Sequence, residues 1–184
     1  EEEVGVLISP FVPKEGDSAV KAMLKSALTA RDDPSLAATL IEARKSMETE
    51  EGRTALRELL EEGKGNARLD KRTFLNVVDV FEAALRRVLE NQTQSDMQNA
   101  SVYIGIVNTY YRLAPAGNRF LSKEESIRSS PVWSNLDFWK ASVFEALAAE
   151  RAKEASTHGR FAEMEEWQLK NLQEQEYLVA FNEV

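Results

Sequence analysis

The sequence predicts an all-α fold, an irregular bundle of roughly seven or eight helices preceded by an extended arm. Three observations predict it. Apolar residues recur at steps of three and four along most of the chain after Asp17, most clearly in Phe74, Val77, Val78, Phe81, Leu85, Val88 and Leu89. Capping residues stand where these runs begin. No stretch alternates with the period of a strand over more than a few residues, and no internal repeat is visible. With 184 residues and a hydrophobic fraction of 43%, the chain is long and apolar enough for one domain with a sizeable core.

The elements follow in order. Residues 1–16 read as an extended arm packed on the domain: Pro10 and Pro13 break regular hydrogen bonding, while Val4, Val6, Leu7, Ile8, Phe11 and Val12 are too apolar for a free tail. Residues 17–184 read as a single helical domain. Asp17 and Ser18 open a first helix carrying Val20, Met23, Leu24, Ala27 and Leu28. Asp33 caps a second, with Pro34 at its first position and a buried stripe of Leu36, Leu40, Ile41 and Met47. A third, Glu50 to Glu62, carries Leu56, Leu59 and Leu60 and stops at Gly63, leaving Gly63 to Asn66 as a loop.

Asp70 to Glu90 is the core helix. The next, from about Asp96 to Leu113, puts Ala100, Ile104, Val107 and Tyr111 on one face with Tyr103, Ile106 and Tyr110 beside it. Ala114 to Ser122 is a turn, and Ser122 with Glu125 forms a capping box for a short helix, Lys123 to Arg128. Asn135 caps a long helix to about Ala155, with Leu136, Trp139, Val143, Ala146 and Leu147 inward. A last helix runs from about Arg160 towards Phe181.

Composition excludes several chemistries. The chain has no Cys, which removes disulfides, thiolate metal sites and cysteine nucleophiles and suits a reducing, cytoplasmic home. A net charge of −8 with dispersed Lys and Arg argues against nucleic acid. It favours partners with basic patches. No apolar run approaches the roughly 18 to 20 residues of a membrane span. Val143 to Ala149, among the longest, holds Glu145. The chain starts at Glu1 without Met, so it reads as a fragment of something longer.

The single His158, in a predicted interhelical loop, cannot make a metal site, and no His-Glu-x-x-His pair exists. Gly63-Lys64-Gly65-Asn66 lacks the spacing of a phosphate loop. The adjacent pairs Glu61–Glu62 and Glu165–Glu166 point about 100° apart on a helix and read as solvated faces. Asn91-Gln-Thr93 and Asn99-Ala-Ser101 match a glycosylation pattern that short sequences reach by chance. No catalytic residue, cofactor site or metal site is therefore expected.

One stretch is more specific: Pro131-Val-Trp133-Ser-Asn-Leu136-Asp-Phe138-Trp139, then Phe144 and Glu150-Arg151. This resembles the helical domain shared by the MAP-kinase-activating death-domain protein, the SET-binding-factor pseudophosphatases and a related small brain adaptor. Thr73-Phe74 and Thr109-Tyr110-Tyr111 are similar to that adaptor's segments. The resemblance spans roughly Thr73 to Tyr177 and departs at Val143, where the family tends to carry Phe. It implies an accessory interaction domain of Rab-linked membrane traffic, outside the module that exchanges nucleotide. Its motif residues Trp133, Leu136, Phe138, Trp139, Glu150 and Arg151 would form a packing joint. Trp133 would lie in the turn, Trp139 and Leu136 would face inward, and Glu150 and Arg151 would each reach a different element.

The expected function is thus a non-enzymatic interaction domain, an adaptor or regulatory module in the cytoplasm or peripheral to vesicle membranes, whose partner is a small GTPase or a trafficking or motor component. The alternatives are an architectural domain supporting its neighbours, and an enzyme with a carboxylate-only site.

Overall fold

The computed structural model describes residues 10–29 and 34–158, and the side chains of 34–36 and 154–158 fall outside that description. The predicted helix from Arg160, the Asp33 cap, Leu36 and the first nine residues of the arm lie outside the described residues. Among the described residues the fold is all-α: eight α-helices, three single turns of 3-10 helix and one two-stranded hairpin. The helices are α1 (Ala19–Thr29), α2 (Pro34–Ser46), α3 (Glu50–Glu62), α4 (Lys71–Asn91), α5 (Gln94–Gln98), α6 (Ala100–Thr109), α7 (Glu125–Arg128) and α8 (Leu136–His158). The hairpin strands are β1 (Tyr111–Ala114) and β2 (Gly117–Phe120).

Helix α4 is the axis. Asp70 caps it, accepting from the amides of Arg72 and Thr73 at 2.9 and 3.0 Å. Its apolar stripe buries Phe74, Val77, Val80, Phe81, Ala84, Leu85 and Val88. Gln92, at φ 45°, ends it in the left-handed conformation, with its amide returning to Val88 O at 2.9 Å. Helices α1 and α2 pack together on α4, and α3 packs on α1 and α2 and against α5 and α6. Asn76 fixes the α1–α4 crossing by donating to Ala27 O and Leu28 O at 3.3 and 3.2 Å.

Several sequence expectations hold. Ser18 caps α1, Asn135 caps α8, and α3 keeps its predicted span, with an unanticipated cap at Thr49. At the described end of the arm residues 12–16 are exposed, while Phe11 is fully buried, its ring 6.0 Å from that of Tyr110. Gly63 makes this possible, because a Cβ there would stand 2.4 Å from Tyr110 Oη.

Others are corrected. The single helix from Asp96 to Leu113 is α5, a break at Asn99, and α6. Asn99 ends α5 by donating from its side chain to Ser95 O at 2.7 Å. The buried face of α6 is Ala100, Tyr103, Ile106 and Val107, continued by Tyr110, while Ile104 is exposed. Tyr111 leaves the helix for β1, where it pairs with Phe120 and exchanges backbone hydrogen bonds with Ala67 and Leu69. The predicted turn from Ala114 is therefore the tip and second strand of a hairpin. Gly63–Asn66 is a 3-10 turn rather than an irregular loop. The Ser122 capping box does not form: a 3-10 turn covers Leu121–Lys123, and Glu124 precedes α7 without a side-chain cap. On α2 Ala43 is buried, with Met47 buried just past its end, while Ile41 is 62% exposed. His158 belongs to the end of α8.

Candidate functional site

The motif from Pro131 to Trp139 folds as a 3-10 turn, Pro131–Ser134, running into the first turn of α8. Pro131 suits the first position of that turn, where a missing amide costs no hydrogen bond. Val132 and Phe138 are the buried anchors, and the turn packs on α4. Trp133 donates from its indole to Ile127 O at 2.7 Å, and Trp139 to Val132 O at 2.8 Å. The two indoles stack with centroids 6.1 Å apart and planes 17° from parallel. Phe138 meets Trp139 edge-on at 5.4 Å. Trp133, Phe138 and Trp139 thus pack against one another in a cluster, although both indoles stay half-exposed.

The rest of the motif does not join it. Leu136 is 70% exposed. Glu150 pairs with Lys153 of the same helix at 3.2 Å rather than with another element, and Arg151 is exposed. The reason lies in the rotation of α8. It packs on α5 through the side that carries Phe138, Ser142 and Glu145, with Gln94 Nε2 donating to Glu145 Oε2 at 3.1 Å. At about 100° per residue, the predicted inward stripe of Leu136, Trp139, Val143 and Leu147 then faces away from α5. Ala146 is exposed, Val143 and Leu147 are half-buried, and Phe144 beside them is 71% exposed. The outcome is two exposed apolar side chains on α8, Leu136 and Phe144, each one helical turn from Lys140.

Most of the buried polar side chains are hydrogen-bonded within the protein. Arg53 donates to both oxygens of Asp96, from Nε at 3.0 and 3.1 Å and from Nη2 at 2.6 Å, and from Nη1 to Met47 O and Glu48 O at 3.0 and 3.3 Å. Thr93 and Tyr103 hydroxyls donate to the same carboxylate at 2.8 and 3.2 Å. Burial pushes the Tyr103 phenol well above its ordinary value, and the Asp96 charge adds to the shift. Burial likewise raises Tyr110, whose hydroxyl donates to Leu60 O at 2.6 Å. Lys25 is buried against Asp17 at 2.7 Å. These groups are consumed in tying α3 to α5 and to the end of α6, α5 to α6, and α1 to the segment that leads into it. Among the described residues no three His, Cys, Asp or Glu side chains converge as a metal ion would require. No described helix is long and apolar enough to cross a membrane.

The Arg53–Asp96 clamp carried no sequence signal beyond Thr93 preceding Asp96 at capping distance. The open face of α8 was written in the sequence as an apolar stripe, with its direction reversed. No family model, no curated protein and no solved structure matches the chain.

Proposed function

We propose that this chain is a non-enzymatic helical protein-interaction domain, an adaptor or regulatory module of Rab GTPase-dependent membrane traffic. The observation that carries the interaction reading is the open face of α8. Leu136 and Phe144 project into solvent beside half-buried Trp139, Val143 and Leu147, while the opposite side of the same helix anchors on α5. Large apolar side chains exposed about two turns apart on one helix, with Lys140 between them and Arg151 beyond, are the kind of surface that a partner covers. The trafficking assignment rests on the resemblance carried by Pro131 to Trp139. It makes a small GTPase, or a trafficking or motor component, the partner, and places the chain in the cytoplasm or on the periphery of vesicles.

The test uses the purified chain with a panel of Rab GTPases loaded with GDP or a GTP analogue, following binding and nucleotide release together. The expected result is binding without faster release, weakened about tenfold by Phe144→Asp, as for loss of one central interface contact. Faster release caused by the chain alone would overturn the accessory role. No binding across the panel would move the assignment to an architectural domain.

A further inference from the structure

A second surface lies on other elements, in the furrow between α2 and α4. One end, a cavity of about 240 Å³, has an apolar wall of Ala37, Leu40 and Ile41. The other, about 160 Å³, is walled by Arg44, Lys45, Arg86 and Arg87. Arg44 borders both, so the two form one trough. On the α4 wall, from Asn76 to Arg87, the trough runs about 16 Å, the length of three helical turns at a rise of about 1.5 Å per residue.

Its charge runs against that of the whole molecule. Arg72 and the four cations just named make five, set against Glu48 and Asp79 on the walls, an excess of three on a chain of net charge −8. Counting Glu82 and Glu90 as well, which pair with Arg86 and Arg87, leaves an excess of one. The Arg44–Asp79 pair, at 3.5 Å, and the Arg87–Glu48 pair, at 3.2 Å, both face solvent. Such pairs hold little energy and exchange partners at small cost.

We propose that this trough docks a short helical segment of another protein, about three turns long, with aliphatic or aromatic side chains at one end and carboxylates at the other. The apolar end seats on Leu40 and Ile41, the latter 62% exposed, and the carboxylates meet Lys45, Arg86 and Arg87. The proposal rests on the protein-interaction reading and adds to it a partner class that the acidic chain as a whole would repel.

The probe is a fluorescein-labelled helical peptide of about four turns, with Leu at one end of one face and Glu at the other, made in both sequence orders. A control peptide carries Lys in place of each Glu. Anisotropy is measured against the full chain, its Ile41→Glu variant and the double variant Arg86→Glu with Arg87→Glu. All three changes lie on solvent-facing side chains, so circular dichroism should match the parent. The expected result is binding of the acidic probe in one order, weakened about tenfold or more by either variant. Added salt should weaken it further through screening over about 10 Å at 0.1 M. The Lys probe should prefer the double variant.

Equal affinity across the variants, or no binding of the acidic probe in either order, would overturn the proposal. So would binding that emerges only when residues 1–9, with their own acidic and apolar run, are removed, since this chain would then be its own guest. Self-association abolished by the same variants would also overturn it, in favour of a second copy. The Rab panel keeps the two ideas apart: a Rab that binds the parent and the double variant equally, alongside a silent acidic probe, sinks the trough and leaves the α8 reading standing.

Discussion

Arg53 and Asp96 are 43 residues apart in sequence and meet with side chains 1% and 3% exposed. A guanidinium so deeply placed has lost its water, and it is tolerated because every direction in which it donates meets an oxygen. Asp96 is matched in turn by Arg53, Thr93 and Tyr103. The asymmetry of such pairs sets the prediction. Arg53→Met removes the cation and leaves the carboxylate stranded, which should cost about 3–5 kcal/mol. Pairing it with Asp96→Leu removes the stranded charge and should recover most of that loss. Urea unfolding of the two variants and the parent reads both effects. A single variant with the parental midpoint would show that the clamp adds nothing to the fold.

At the scale of the element, α3 and α4 were legible from their apolar stripes, with Gly63 marking the end of the first; the caps Thr49 and Asp70 and the left-handed stop at Gln92 emerge only in the fold. The hairpin was not legible. Its strands are four residues each and follow directly on a helical apolar pattern, so no alternation had room to register. The split of α5 from α6 turns on the side chain of Asn99, which periodicity does not weigh.

Helix α8 shows a deeper limit. An apolar stripe tells that a face avoids water, and leaves open whether this chain or a partner covers it. For that reason Leu136, expected inward, is exposed, and Trp139, expected inward beside it, is only half-buried. The two faces should separate on truncation. Phe138→Ala empties a fully buried site and should cost about 3–5 kcal/mol. Leu136→Ala and Phe144→Ala, at exposed positions, should each stay within about 0.5 kcal/mol of the parent. Thermal or urea unfolding of the three variants checks the rotation of α8 directly, and a destabilising Leu136→Ala would reverse it.

Across the whole molecule, titration links the interior to pH at both ends of the scale. Asp17 accepts from Lys25 Nζ and from the Lys14 amide, both at 2.7 Å, and those bonds hold its carboxyl below the ordinary value of 3.8. Its contribution to stability is present above that value and fades as pH falls through the lower folded-state one. The tyrosines have the opposite sign. Tyr103 and Tyr110 are raised above the ordinary value of 10 by burial, so the folded chain holds two protons that the unfolded chain releases near that pH. Stability is therefore full below pH 10 and is lost as pH rises towards the folded-state values. Because Tyr103 closes the Asp96 clamp and Tyr110 seats Phe11 on Gly63, ionising either phenol needs the core to open. An alkaline titration should show the tyrosinate absorbance of these two residues rising together with the loss of helical circular dichroism. Replacing both by Phe should remove that coupling and leave a chain weaker at neutral pH but less sensitive to alkali. If all tyrosinate absorbance develops near pH 10 while the helical signal is intact, the two phenols reach solvent in the folded chain, and the closed interior described here is wrong.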